Sequence, residues 1–155
     1  MIQRIQTIYL LIVVILSGIT LFSVQASFIG AVDAAHYILN FKGIFQVQTT
    51  GMDFVKNVWS LTALCVLIPV IAIATIFVYK KRLLQIRLSI INSVLLAGYY
   101  GLLFIYLWQT GTALDAEWYL EMVTAFPLIN IILTFLALRA IGKDEALIKS
   151  LNRLR

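Results

Sequence analysis

The sequence predicts an all-α membrane protein: a four-helix transmembrane bundle with both termini cytoplasmic, a small β-hairpin in the first outer loop, and a short cytoplasmic C-terminal amphipathic helix. Three observations predict it. The 155 residues are 62% hydrophobic and only 12% charged, with a mean hydropathy of +0.98, whereas an ordinary soluble domain is roughly 25% charged. Four long apolar runs, at residues 7–28, 59–79, 88–108 and 122–138, contain no Asp, Glu, Lys, Arg or His. The basic residues, finally, are segregated between the connections.

Each run is long enough for a hydrocarbon core, which takes roughly 20 helical residues to cross. Lipid cannot satisfy backbone polar groups, so continuous runs of this length must be helices; a barrel would need short alternating stretches. The whole chain, 1–155, is then one integral membrane domain. A signal peptide is the competing reading of the first run, with Arg4 ahead of it and Val24, Gln25 and Ala26 as a small-residue cleavage site. The run is longer than the roughly 7–15 residues of a signal-peptide core, which favours a retained span.

Orientation follows from the cations. Arg4, Lys80, Lys81, Arg82, Arg87, Arg139, Lys143, Lys149, Arg153 and Arg155 lie on one side with Asp144 and Glu145, for a net +8. Residues 29–58 and 109–121 on the other side hold Lys42 and Lys56 against Asp33, Asp53, Asp115, Glu117 and Glu121, for a net −3. The positive-inside rule then places both termini in the cytoplasm. The basic excess faces anionic head groups, so no nucleic-acid partner is implied. Trp59, Trp108 and Trp118 fall at outer span ends and Tyr9 and Tyr79 at inner ones, the depth that amphipathic rings prefer.

Between the spans, residues 29–58 carry a period-two pattern. Tyr37, Leu39 and Phe41 alternate with His36, Ile38 and Asn40; after Lys42 and Gly43, Phe45, Val47 and Thr49 alternate with Ile44, Gln46 and Gln48. That is a hairpin signal. A lone hairpin is marginal in water, so its aromatic face, with Tyr37, Phe41 and Phe45, has to pack on the outer helix ends and the 109–121 loop, or on a partner protein. Within the bundle, Ser23 with Ser27 and Ala97 with Gly101 have small-xxx-small spacing, and Asn92, Ser93, Asn130 and Thr134 supply polar contacts between helices. Pro69 predicts a kink in the second span, and Pro127 falls early in the fourth, where proline is tolerated. After the fourth span Gly142 reads as a stop, Asp144 as the cap of a new helix, and Glu145 with Lys149 as a favourable i,i+4 pair. Leu147, Ile148, Leu151 and Leu154 share one face of that tail, opposite Lys149, Asn152, Arg153 and Arg155. Such a segment lies on the inner leaflet or docks on a cytoplasmic partner.

Reactive groups are few. With one His, His36, and one Cys, Cys65, the chain has no zinc cage, no paired-imidazole haem site and no internal disulfide. It has no phosphate-binding loop, HExxH or GxSxG. No cofactor, metal or catalytic residue is expected, and the chain reads as a non-enzyme. Ion-coupled carriers place ionisable groups at membrane depth; these spans have none. The acids Asp115, Glu117 and Glu121 read as solvated outer charge.

The opening Met1-Ile2-Gln3-Arg4-Ile5-Gln6-Thr7 and the closing stretch from Arg139-Ala140-Ile141-Gly142-Lys143-Asp144-Glu145 through Arg153-Leu154-Arg155 resemble the family numbered 4293 among domains of unknown function. The resemblance runs the length of the chain. It implies a small four-span inner-membrane protein of Bacteroidota, and hence a periplasmic outer loop, and it transfers no catalytic residue. Its concentration in the two ends suggests that Gln3, Arg4 and Gln6 meet the 143–155 segment. In topology the long strand-bearing first loop also resembles claudin-like tetraspans, without their paired loop cysteines and Trp motif. The function expected is therefore a scaffold or accessory subunit of a membrane complex, contacting the lipid bilayer and either a protein partner or further copies of itself. Candidate interaction residues are Arg4, Lys143, Asp144, Glu145, Lys149, Arg153 and Arg155 at the cytoplasmic ends and Tyr37, Phe41 and Phe45 in the hairpin. The alternative is a small carrier or channel for a neutral or lipidic molecule.

Overall fold

A computed structural model describes residues 2–30, 35–48, 51–79 and 81–153, with side chains over 5–30, 35–48, 51–79, 81–144 and at Ala146. The elements in chain order are α1 (Ile2–Phe22), β1 (Ala26–Gly30), β2 (His36–Asn40), β3 (Gly43–Gln48), β4 (Gly51–Lys56), α2 (Trp59–Phe77), α3 (Arg82–Leu114), β5 (Ala116–Leu120), a single 3-10 turn (Met122–Ala125) and α4 (Phe126–Arg153). The all-α expectation is therefore wrong: the described residues form four helices plus one five-stranded antiparallel sheet, ordered β4-β3-β2-β1-β5. The expected hairpin is its β2–β3 centre. Three further strands surround it.

All four helices are long and apolar enough to cross a membrane. They pack in a ring, α1 on α2, α2 on α3, α3 on α4 and α4 back on α1. Strands β1 to β4 join α1 to α2, and β5 joins α3 to α4, so the sheet sits at one end of the helices. The N-terminus of α1, the α2–α3 connection and the C-terminal part of α4 share the far end. Large aliphatic and aromatic side chains such as Ile8, Ile15, Val70, Phe77, Val94, Ile105, Ile132 and Phe135 point outward and are exposed. Inside the ring lie Ser17, Thr75, Ser89, Asn92, Asn130 and Thr134, all buried beside Leu10, Val13, Leu96 and Leu103. This distribution inverts that of a water-soluble helical protein, whose outward faces are polar.

Several boundaries differ from the sequence reading. The first run does not stay helical to residue 28; α1 ends at Phe22, and Ser27 and Phe28 lie in β1, which removes the Ser23/Ser27 helix-packing motif. Helix α3 spans 33 residues, about 50 Å at 1.5 Å per residue, well beyond 88–108. It ends at Asp115, whose left-handed backbone (φ 46°, ψ 50°) turns the chain into β5. The separate C-terminal helix does not form: α4 runs from Phe126 to Arg153 through Gly142. One interior glycine costs only about 1 kcal/mol, and Ile141 and Asp144, both buried, pack on either side of it. Asp144 therefore caps nothing. Pro127 stands in the first turn of α4, as expected, and Pro69 lies inside α2.

One apolar core joins the sheet to the helices. Ala26, Phe28, Leu39 and Ile44 of the strands meet Val58, Leu61, Cys65, Leu96, Tyr99, Leu103 and Leu107 in one buried cluster. Gln25 ties the layers together at their junction. Its backbone N–H donates to Leu39 O at 2.8 Å, its carbonyl accepts from the N–H of Glu121 and the hydroxyl of Thr124, and its side-chain amide reaches Cys65 Sγ at 3.6 Å.

Candidate functional site

In an antiparallel sheet directly opposed residues share a face, so the register sorts every strand residue. One pair of rows lies on the helix side: Leu120, Ala26, Leu39, Ile44 and Lys56 in one, Trp118, Phe28, Tyr37, Gln46 and Asp53 in the next, with Trp118, Leu120 and Asp53 exposed on the edge strands. The other pair faces away from them. Its first row reads Tyr119, Ser27, Ile38, Phe45, Phe54 across all five strands, and its second reads Glu117, Ile29, His36, Val47, Met52. This outer face is largely apolar and accessible: Met52 is 61% exposed, Phe54 58%, Tyr119 48% and Ile29 43%. Strand β4, the free edge beside it, is exposed at every residue from Gly51 to Val55.

Local chemistry builds this surface. The β2–β3 turn has only Phe41 and Lys42 between the paired Asn40 and Gly43, and Asn40 Oδ1 accepts the Lys42 N–H at 3.0 Å, an Asx turn. Gly43 has φ +152°, and a Cβ there would lie 2.6 Å from Lys56 O and 2.7 Å from Phe54 Cε2. Only glycine lets β4 and the Phe54 ring come this close. Phe54 then stands edge-on to Phe45, centroids 5.6 Å apart at 74°. At the opposite rim Ser27 Oγ donates to Glu121 at 3.0 Å and Tyr119 Oη to Glu117 at 2.7 Å. The Glu117 carboxylate accepts a hydrogen bond that only the protonated phenol can donate, and with its charge this holds Tyr119 above the ordinary tyrosine value.

The three hairpin candidates are thus divided. Tyr37 lies on the helix side, half-buried against the core. Phe41 leaves the strand at the turn and packs edge-on against Phe22 of α1, centroids 5.8 Å apart, while its carbonyl accepts from the Thr62 hydroxyl. Phe45 lies on the outer face, not with Tyr37 and Leu39 as the alternation suggested, because the two-residue turn sets Ile44 opposite Leu39. Met52 and Phe54, the most exposed large apolar residues of the face, were not read from the sequence; their signal was the Met52, Phe54 alternation with Asp53 after Gly51.

At the far end, the Gln6 amide Nε2 donates to Asp144 Oδ2 at 2.7 Å, joining residues 138 apart in the chain, and both side chains are buried. Lys143 is exposed beside it. Arg4, Glu145, Lys149 and Arg153 lie within helices, but their side chains fall outside the described ones, and Arg155 lies outside the described residues.

Between the two ends, Asn130 Nδ2 donates to Ser17 Oγ at 3.0 Å and Thr134 to Asn130 O at 2.7 Å. Asn92, Ser89 and Tyr99 keep buried polar atoms without a partner among the described residues. A cavity among Ser17, Thr20, Cys65, Leu96 and Tyr99 has about 10 Å³ of room, the scale of one ordered water. Among the described residues no three His, Cys, Asp or Glu side chains gather as a metal site.

A comparison with curated proteins finds no match. The family model described as Domain of unknown function (DUF4293) matches residues 2–154, and the chain belongs to that family.

Proposed function

We propose that this chain is a non-enzymatic integral membrane protein, a four-helix transmembrane bundle that displays its sheet as a docking face for a protein partner, and so serves as a scaffold or accessory subunit of a membrane complex. We place it in the bacterial inner membrane with both termini cytoplasmic and the sheet at the periplasmic surface. The observation that carries the reading is the outer sheet face, with Ile29, Val47, Met52, Phe54 and Tyr119 exposed in two adjacent rows. Contiguous apolar surface of this kind marks interaction sites. Glu117 and His36 in its second row, and Glu121 bonded to Ser27, add polar groups to it, as at other protein interfaces.

The distribution of side chains supports the membrane part. The helix exteriors are aliphatic, and Lys81, Arg82, Arg87 and Lys143 collect at the far end while Asp53, Asp115, Glu117 and Glu121 collect at the sheet end. That asymmetry is the one the positive-inside rule reads. The interior supports a structural part over a conduit, because Ser17, Asn92, Asn130 and Thr134 are shut from solvent and the room beside Ser17 suits a single water.

The test is purification in mild detergent of wild type and Phe54→Lys. Wild type is expected to run as a discrete complex larger than the chain alone, and Phe54→Lys, at an exposed position, to lose the partner while keeping its helical content and melting temperature. A Phe54→Lys protein that keeps the complex intact would refute the docking face.

A further inference from the structure

We propose that the far end carries a binding site for the phosphate group of an acidic phospholipid, centred on Arg82. This rests on the membrane reading above. The site is a cleft of about 510 Å³ between the start of α1 and the α2–α3 connection. Its polar wall includes Arg82 and the buried Gln85, and its apolar wall is Ile8 and Leu11. Arg82 Nη1 is shut from solvent and has no hydrogen-bond partner among the described residues. A buried guanidinium nitrogen without an acceptor is costly, and a phosphate supplies the paired oxygens that its planar fork fits.

One further feature favours an anion. Arg82 opens α3, a 33-residue helix whose N-cap, Lys81, makes no side-chain capping bond and whose first turn holds no acid. Free N–H groups and the positive end of the helix dipole therefore stand beside the guanidinium. Gln6, which also lines the cleft, turns its amide to the buried Asp144 carboxylate at 2.7 Å. The apolar wall selects a lipid over a free anion: Ile8 and Leu11 are 55% and 49% exposed and continue the aliphatic exterior of α1, a track for an acyl chain leaving the head group. Basic pockets between helices at the cytoplasmic surface take anionic lipid head groups for the same reasons.

The experiment uses the full chain in vesicles of phosphatidylcholine with and without phosphatidylglycerol, followed by native mass spectrometry of retained lipid. Wild type is expected to retain phosphatidylglycerol in preference to phosphatidylcholine. Arg82→Gln is expected to lower that retention about tenfold, the loss of one charge-assisted contact. Ile8→Trp, which fills the mouth, should lower it without touching charge, and Arg87→Gln, an exposed cation on the next turn, should leave it unchanged. Equal retention by Arg82→Gln and wild type overturns the proposal, as does an equal loss in Arg87→Gln, which would reduce the effect to surface charge. Displacement of the lipid by inorganic phosphate also overturns it, since the site would then serve a free anion. Failure of wild type to enter vesicles refutes the membrane reading itself, whereas a fully inserted protein indifferent to Arg82 refutes this site alone.

Discussion

The two faces of the sheet are made of the same five strands, yet the helix-side face is sealed at its centre and exposed only toward the edge strands, at Trp118, Leu120 and Asp53, while the other is open. Phe28, Leu39 and Ile44 on the helix side are completely buried, while Met52 and Phe54 on the outer side are more than half exposed. Strand geometry sends alternate residues to opposite faces, so a single run of chain holds the fold with one set of side chains and offers a surface with the other. Substitutions on the two faces should therefore fail in different ways: inner ones in stability, outer ones in association.

Phe28→Ala is expected to have the largest effect on stability, about 3–5 kcal/mol for a fully buried phenylalanine that leaves a cavity, read as a fall in melting temperature of the detergent-solubilised protein. Gly43→Ala comes next. A Cβ 2.6 Å from Lys56 O has to displace β4, and the expected loss is about 1–3 kcal/mol, with hydrogen exchange at 51–56 rising first. Phe54→Lys, in contrast, should change stability by no more than about 0.5–1 kcal/mol while abolishing association. If Phe54→Lys unfolds the protein as Phe28→Ala does, the distinction between the faces is lost.

The far end offers a sharper version of the same contrast. Removing the Asp144 carboxylate as Asp144→Ala leaves the Gln6 amide buried without its partner, at about 1–3 kcal/mol, and double substitution with Gln6→Leu should cost less than the sum of the two single changes. Additive losses would show that the 2.7 Å contact contributes nothing of its own. The smallest effect is at Tyr119. Its folded-state value is raised because the protonated phenol donates to Glu117. The contribution of this bond is therefore full below the ordinary tyrosine range, near 10, and is lost as pH rises through the raised folded value. Glu117→Gln should bring the Tyr119 titration, followed by ultraviolet absorbance, back down; an unchanged titration would contradict the assignment.

What the sequence made legible follows the strength of each local signal. The four helices were readable because lipid-length apolar runs admit one backbone solution, and the β2–β3 hairpin because its residues alternate. Strand β1 was not readable: Ser27, Phe28 and Ile29 extend the apolar run of α1 without a break, and only pairing with β2 and β5 makes them a strand. In β5, Trp118, Tyr119 and Leu120 are apolar in succession, so no period shows. Phe45 was assigned to the wrong face because a one-residue difference in turn length exchanges the two sides of a strand. Asp144 read as a cap after Gly142 for local reasons, and its bond to Gln6, across 138 residues, overrode them. The outer face itself is a product of register across five strands, a long-range property that the local Met52, Phe54 alternation does not reveal.

The most direct test of the docking surface is site-specific photo-crosslinking in intact cells, with the photoreactive residue placed at Met52 on the outer face and, as a reference, at Leu39 on the inner one. The account predicts a single protein adduct from Met52 that disappears when Phe54→Lys is added, and only intramolecular products from Leu39. Labelling at Met52 confined to lipid or water, in a protein that remains folded and membrane-inserted, would contradict it.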